Sequence, residues 1–392
     1  MFKKNLLLVI SSTLIAFSSC RKNDPVENVA PVQQDNLQVC IQNEKHNSQR
    51  TNGAVLGSNK WVNGQTISIK FLNGDTFLQN KVKTYAEIWT NYANLKFQWV
   101  STAENADIKI SFNATTKSNS AVGTDCKYFD QNSHSMDLGL IGNTNESIFS
   151  SVVLHEFGHA LGMIHEHQSP KSNFMWNKPY VYSVYMNPPY NLSAAEVDFN
   201  IFYKYSEAST NSSSTAFDPA SIMCYSFPSN YTTNGYSTPV NYRLSPTDIR
   251  FISKEYPGVA IALLYRCYTN GKHLYTSNPT EAANNGFEGV MGGLSRTQKF
   301  GTIPLYRYFN YTNGGRLTTT NYGELGGGGS GGWKYEGIHG YVYPTSIYGT
   351  LQVGRYFNSG NNDHFYTTSP TELGAGGNGW IFEGIGFNLM KQ

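Results

Sequence analysis

Apolar residues alternate with polar ones in the stretch Trp61 to Phe71, WVNGQTISIKF, where Ile67, Ile69 and Phe71 fall on one face. That period of two predicts a half-buried strand. From Phe77 to Trp99 the apolar positions Val82, Tyr85, Ile88, Trp89 and Tyr92 follow helical spacing, which predicts one helix over that range. Asp107 to Phe112, DIKISF, alternates again, and Met136 to Gly139 predicts a short strand just before a second helix around Ser151. Strand, helix, strand and helix suit a mixed α/β half-domain beneath a cleft. Beyond His165 regular patterns thin. One helix is expected near Ser193 to Phe202. Another is expected within Leu244 to Tyr256, where Ser245 is placed to cap and Pro246 to occupy the first helical position. Pro257-Gly258 ends it.

The chain then repeats itself. Tyr265-Arg266, Tyr306-Arg307 and Gly354-Arg355 each open a unit, the second arginine 41 residues after the first and the third 48 after that. HLYTS at His273, RLTTT at Arg316 and HFYTT at His364 correspond, as do FEGV at Phe287, YEGI at Tyr335 and FEGI at Phe382. Units of this size cannot each bury a core, so they share one. The expectation is an all-β threefold repeat domain, β-trefoil-like, with Leu325 to Gly332 as a loop insertion in its second unit.

A length of 392 residues leaves room for two folded domains. Charged residues make up only 14%, and a net charge of +2 leaves no basic footprint for nucleic acid. Two lysines precede the apolar run Leu6 to Phe17, which is too short to be a permanent span and fits an export signal. No other stretch is apolar enough to cross a membrane. The ending Phe17-Ser18-Ser19-Cys20 resembles the lipobox of bacterial lipoproteins, in which the cysteine is diacylated. The alternative is an ordinary cleavage site with an incidental cysteine. The expected location is therefore outside the cytoplasm, as an outer-membrane or cell-surface lipoprotein precursor anchored at Cys20. Residues 21–53 are polar and build no core of their own.

Chemistry concentrates in SVVLHEFGHALGMIHEHQSP, Ser151 to Pro170. His155 and His159 stand four apart on one helix face and can grip one ion together. Gly162 is suited to a left-handed stop, after which the chain can return His165 as a third ligand. Three neutral imidazoles around a single Zn2+ leave a fourth position for water, with Glu156 placed as general base. His167, two residues on, is expected in a solvated loop rather than at the metal. Upstream, Cys40 separates two readings of residues 21–53. As a propeptide, the segment puts the Cys40 thiolate into the open zinc position of a latent form; as a tether, it does nothing. Five cysteines leave an odd count, with Cys126 paired either to Cys224 or to Cys267.

At HEFGHALGMIHE, His155 to Glu166, the sequence resembles an astacin-type metzincin, and DPASIMCY, Asp218 to Tyr225, adds to the likeness. The resemblance implies a two-lobed catalytic domain over residues 54–258 and an α+β fold overall. It implies a methionine floor at Met223, and makes Tyr225 an extra zinc ligand and transition-state hydrogen-bond donor. It also implies activation by cleavage between about Arg50 and Ala54, the freed amine then pairing with Glu166. Two departures stand out: the family's FxGD propeptide motif is missing upstream of Ala54, and Cys224 takes the place of a histidine. The organisation expected is signal peptide 1–20, propeptide 21–53, peptidase 54–258 and repeat domain 259–392. The expected activity is zinc endopeptidase cleavage of protein or peptide substrates by a monomer, with a glycan or matrix ligand for the repeats. The alternative is a surface-binding lipoprotein with a vestigial zinc site, against which the presence of Glu156, all three histidines and Tyr225 speaks.

Overall fold

The computed structural model describes residues 39–40, 59–115, 117–206, 216–258 and 261–391. The expected export segment, Cys20 and the expected cleavage region lie outside them. A two-residue strand, β1 (Val39–Cys40), comes first. The alternation at Ile67 and Ile69 produces β2 (Thr66–Phe71), with both isoleucines fully buried. Asp75 then accepts from the Leu78 amide and starts α1 (Thr76–Ala86), whose inner face is Leu78, Val82 and Tyr85. Here the structure departs from the expected helix reaching Trp99. The helix ends at Ala86, a 3-10 turn carries Trp89 to Asn91, and Lys96–Trp99 forms β3, parallel to β2. Trp89 is held by its indole nitrogen donating to Leu154 O at 3.0 Å. Phe97 and Trp99 alternate with Lys96 and Gln98, a strand period hidden at the end of a helical one.

β4 (Ile108–Phe112), β5 (Lys117–Ser120) and β6 (Met136–Leu138) complete a six-stranded sheet of order β1-β5-β6-β4-β2-β3. All its pairings are parallel except β5 with β6. β1 pairs with β5, so Val39 and Cys40 cover what would otherwise be the sheet's edge. α2 (Glu146–Ala160) begins behind an Asn145 cap and buries Phe149, Val152, Val153, Leu154 and Phe157 in the first hydrophobic core. α3 (Lys178–Tyr185) and α4 (Ala194–Val197) follow; a Ser193–Glu196 capping box opens α4, which runs into a π turn, Asp198–Phe202. This matches the helix expected near Ser193 to Phe202. A second core gathers Val181, Tyr185, Leu192, Val197, Ile201, Tyr225, Phe227 and Tyr231, and Cys40 belongs to it. α5 (Pro246–Glu255) has the expected Ser245 cap and Pro246, with Asp248 closing a capping box.

The C-terminal region is built of three antiparallel meanders. The first is β7 (Ala262–Thr269), β8 (Lys272–Thr276) and, after the short α6 (Pro279–Ala283), β9 (Phe287–Leu294). The second is β10 (Ile303–Asn310), β11 (Arg316–Thr319) and β12 (Trp333–Val342). The third is β13 (Thr350–Asn358), β14 (Asp363–Thr367) and β16 (Trp380–Met390), with the two-residue β15 (Gly376–Gly377) beside β16. Arg266 lies opposite Gly289, Arg307 opposite Gly337 and Arg355 opposite Gly384, each between two register shifts. Each arginine turns its Nε to the glutamate beside that glycine: Glu288 at 2.9 Å, Glu336 at 2.7 Å and Glu383 at 2.8 Å. Each turns its other two nitrogens to a glutamate of another meander. Arg266 takes Glu372, Arg307 takes Glu281 and Arg355 takes Glu324, at 2.6 to 3.1 Å. This region is not loosely attached. Tyr343, Ile347 and Met390 belong to the first core, and Lys83 of α1 stands over Phe300 at 5.4 Å.

The ion pairs make a pH-dependent contribution. Paired donors from Arg307, aided by the Thr276 hydroxyl, hold the Glu281 carboxyl down to about 2. An unfolded glutamate titrates near ~4.3. The folded value is the lower one, so the stabilisation is present above ~4.3 and lost as pH falls toward ~2. Arg307→Met is therefore expected to melt below wild type near neutral pH, the gap closing as pH falls through that window. Melting followed by circular dichroism checks this; a gap independent of pH would contradict it.

Candidate active site

α2 carries His155 and His159 one turn apart, their ring centroids 4.9 Å from each other. The helix stops as expected at Gly162, whose φ is 96°. The returning chain sets the His165 ring 4.6 Å from His159 and 5.2 Å from His155. Each outer ring nitrogen has an acceptor. His155 Nδ1 donates to Ile222 O at 2.8 Å, His159 Nδ1 to Met163 O at 2.8 Å and His165 Nδ1 to Gln168 Oε1 at 3.2 Å. With each proton on Nδ1, the Nε2 atoms are the unprotonated nitrogens of the three rings, and they converge. His155 Nε2 is buried without a hydrogen-bond partner, and the Nε2 atoms of His159 and His165 lie 3.1 Å apart. Burial lowers all three imidazoles, His155 to about 4 and the others well below their usual value, so they are neutral ligands.

Cys40 completes the set. Its Sγ and one nitrogen from each histidine lie within 4.8 Å of one another. Three imidazoles and a sulfur are a tetrahedral zinc set, and the orphaned His155 nitrogen is what such an ion would satisfy. Glu156 Oε2 faces Cys40 Sγ at 3.5 Å. Burial pushes the Glu156 carboxyl up to about 8, with Asp137 adding to the rise and the Cys40 contact opposing it. Burial and the adjacent Glu156 also push the Cys40 thiol up. A dication at the centre would reverse both preferences.

Met223 is the floor. A Cβ on Gly158 would come within 2.3 Å of its Sδ, so the glycine between the two helical histidines is what lets the methionine pack there. The turn is fixed from α5. Buried Asp248 accepts from Ser221 Oγ at 2.6 Å and from the Ile222 amide at 2.8 Å, and it is the Ile222 carbonyl that orients His155. Burial raises the Asp248 carboxyl to about 6. Glu166 ties the same turn from the other side, its amide donating to Met223 O and its carboxylate accepting from the Asp218 amide, both at 2.9 Å. Its expected partner, a freed N-terminal amine, lies outside the described residues. The Tyr225 ring packs 4.4 Å from His165, and its hydroxyl donates to the Cys40 carbonyl.

Two expectations are corrected. His167 is not a solvated loop residue: it is buried, its Nε2 donating to Asn200 O at 2.9 Å and its ring lying between His165 and Phe227. The glycine turn that returns His165 also directs the following residues into the second core. Neither expected disulfide exists, and Cys126, Cys224 and Cys267 are free. Cys126 lies in the first core, with its carbonyl taking Lys109 Nζ. Cys224 lies under the methionine turn near the Tyr225 carbonyl, and Cys267 packs with Leu274 and Ala282. Three separate environments bury them apart. The residues not singled out from sequence are Gln168, Asp248 and Gly158. For Asp248 a signal was present, the S-x-x-D capping box after Leu244.

The family model of the astacin peptidases matches residues 55–243, and a domain of unknown function, DUF5648, matches residues 262–390. A structure of myroilysin is 42% identical, covering 53% of this chain and 99% of its own, with a TM-score of 0.50. A second myroilysin structure is 36% identical over 58% of this chain and 97% of its own, with a TM-score of 0.42. High choriolytic enzyme 1, a hatching-enzyme zinc protease of the medaka fish Oryzias latipes, is 19% identical over 53% and 98%, with a TM-score of 0.36. Comparison with curated protein sequences gives no match.

Gln168 offers a test of the arrangement. Its Oε1 takes the His165 proton while its Nε2 donates to Phe199 O at 2.6 Å. Gln168→Ala is expected to keep the fold, by circular dichroism, and to weaken zinc about 10- to 100-fold in chelator competition. Unchanged affinity would remove Gln168 from the site.

Proposed function

Because the chain belongs to the astacin peptidase family and is a zinc metalloendopeptidase, we propose that His155, His159 and His165 hold its zinc and that Glu156 is its general base. The observation that carries this is the convergence of three unprotonated nitrogens and one sulfur within 4.8 Å, with Glu156 beside them. A zinc ion held by these three histidines would supply Lewis acidity to the scissile carbonyl and to water. Glu156 takes the water proton and delivers it to the leaving nitrogen. Tyr225 donates to the developing oxyanion, a role its hydroxyl takes up when it is released from the Cys40 carbonyl. Met223 holds the floor and does not react.

The precursor is latent, with Cys40 as the plug. Three contacts support this: the sulfur in the ligand cluster, the pairing of β1 with β5, and the Tyr225 hydroxyl on the Cys40 carbonyl. Cleavage near Arg50 to Ala54 would sever residues 21–53 and, with them, any lipid on Cys20. The protein is exported, and its peptidase is freed outside the cell. Among the described residues no helix is long and apolar enough to cross a membrane. Residues 262–390 close into one threefold unit, as trefoil-like architectures do, supported by the arginine-glutamate pairs that run from each meander to another. The repeats hold the enzyme on a glycan or matrix ligand.

Glu156→Gln is expected to retain stoichiometric zinc and lose roughly 10²- to 10⁴-fold in kcat; near-wild-type turnover in a quenched-fluorescence peptide assay would sink the mechanism. Cys40→Ser is expected to give an unprocessed chain that cleaves the same peptide. Its rate should fall short of the processed enzyme, because β1 and the Tyr225 contact remain. Complete latency of that variant, with the precursor intact on a gel, would remove Cys40 from the role of plug.

A further inference from the structure

The three meanders keep more in common than their fold requires. Each arginine is accounted for by its two glutamates. In two meanders the glycine opposite the arginine is also accounted for, Gly337 with φ 118° and Gly384 with φ 117°. The apolar residues flanking those glycines are not. Phe287 and Val290 are 53% and 48% exposed, Ile338 is 43% exposed, and Phe382 and Ile385 are 41% and 50% exposed. Tyr335, the remaining member, is half-buried against Tyr308 at 5.5 Å. Burial alone is not the reason for an aromatic residue and a β-branched one at this register in all three units, since five of the six are exposed and Tyr335 is only half-buried.

The rings are also held in place. Phe287 meets Tyr265 edge-on at 6.0 Å, Phe382 lies 5.0 Å from Tyr356, and Tyr335 is backed by Tyr306 and Tyr322. An exposed aromatic surface with little rotamer freedom loses little entropy on binding. Beside each ring stands the bulge glutamate, Glu288, Glu336 or Glu383, bonded to an arginine Nε and still able to accept further hydrogen bonds. A flat apolar platform bordered by planar hydrogen-bonding groups matches a pyranose, which has a C–H face and an equatorial rim of hydroxyls. Two carboxylates take up the donors of each guanidinium, so none of the three arginines is open to a polyanion.

We propose that the C-terminal region carries three equivalent sites for a neutral polysaccharide, centred on Phe287, Tyr335 and Phe382. This deepens the glycan-binding role given to the repeats above and is independent of the peptidase assignment. Three weak sites on one rigid body engage a repeating polymer by avidity, so removing one costs little and removing all abolishes retention.

The test is affinity electrophoresis of the full chain in native gels containing laminarin, xyloglucan, galactomannan or soluble starch, with heparin as the anionic counterpart. The expected result is retardation by at least one neutral polymer and none by heparin. Phe287→Ala, Tyr335→Ala and Phe382→Ala should each weaken retardation by about 3- to 10-fold, and the triple variant by about 10²-fold or more. Peptide hydrolysis by the processed triple variant should equal wild type, showing that the fold is intact. Retardation by no neutral polymer, by heparin alone, or to the same degree in the triple variant would overturn the proposal. Failure of the peptidase reading would show separately, as absent hydrolysis in wild type.

Discussion

Three imidazole nitrogens must face one another in a buried space, and the rest of the catalytic region depends on that. The arrangement is unfavourable in isolation, because the buried His155 Nε2 has lost hydration and has no hydrogen-bond donor in return. It is held by giving each outer nitrogen an acceptor from a different segment. Ile222 O comes from the methionine turn, Met163 O from the glycine turn, and Gln168 from the 3-10 turn that follows. The methionine turn must in turn be rigid, which explains why a buried carboxylate, Asp248, is tolerated on α5. Even the end of α2 is fixed from both ends of the catalytic region. Trp61 Nε1 donates to Ala160 O at 2.8 Å and the Tyr256 hydroxyl to Leu161 O at 2.9 Å.

The same burial supports the proposal that the upstream segment acts as a plug. Cys40 is packed into the second core as a small hydrophobe while its sulfur meets the histidines and its carbonyl takes the Tyr225 hydroxyl. One residue thus contacts the three groups to which the proposed mechanism assigns substrate: the histidine cluster, Glu156 and the Tyr225 hydroxyl. Its neighbouring backbone also covers the edge of β5, where an extended chain would add by strand pairing. Under the proposed latency, removal of this one segment would free chemistry and binding surface together.

How much of this could be read from the sequence follows the range of the interactions. The paired histidines, Glu156 and the Gly162 stop are local and periodic, and each stands where expected. The strands at Ile67 and Ile108 were visible for the same reason. β3 was hidden because Trp89 and Tyr92 continue the α1 spacing, and only contacts 65 residues away, such as Trp89 with Leu154, show that the helix has stopped. β5, KSNS, has no apolar alternation and exists by pairing with β6 and β1. His167 looked solvated because its partner, Asn200, lies 33 residues downstream. The disulfide failed because cysteine arithmetic counts sulfurs without placing them, and these sulfurs belong to separate packing environments.

The C-terminal region shows the converse. Its repeats were legible as repeats, yet their spacing could not show what the recurring Arg and Glu do. Each arginine spends one nitrogen on its own meander and two on another, so no meander is electrostatically complete alone. Surface ion pairs taken singly are worth little. Here the guanidinium forks are bidentate and partly buried, and each one links two of the three meanders. Meanwhile Tyr343, Ile347 and Met390 enter the core that also contains Val82 and Leu154. Leu154 precedes His155 directly, so the hydrophobic packing that secures the repeats continues, without a break in the core, to the helix that carries His155 and His159.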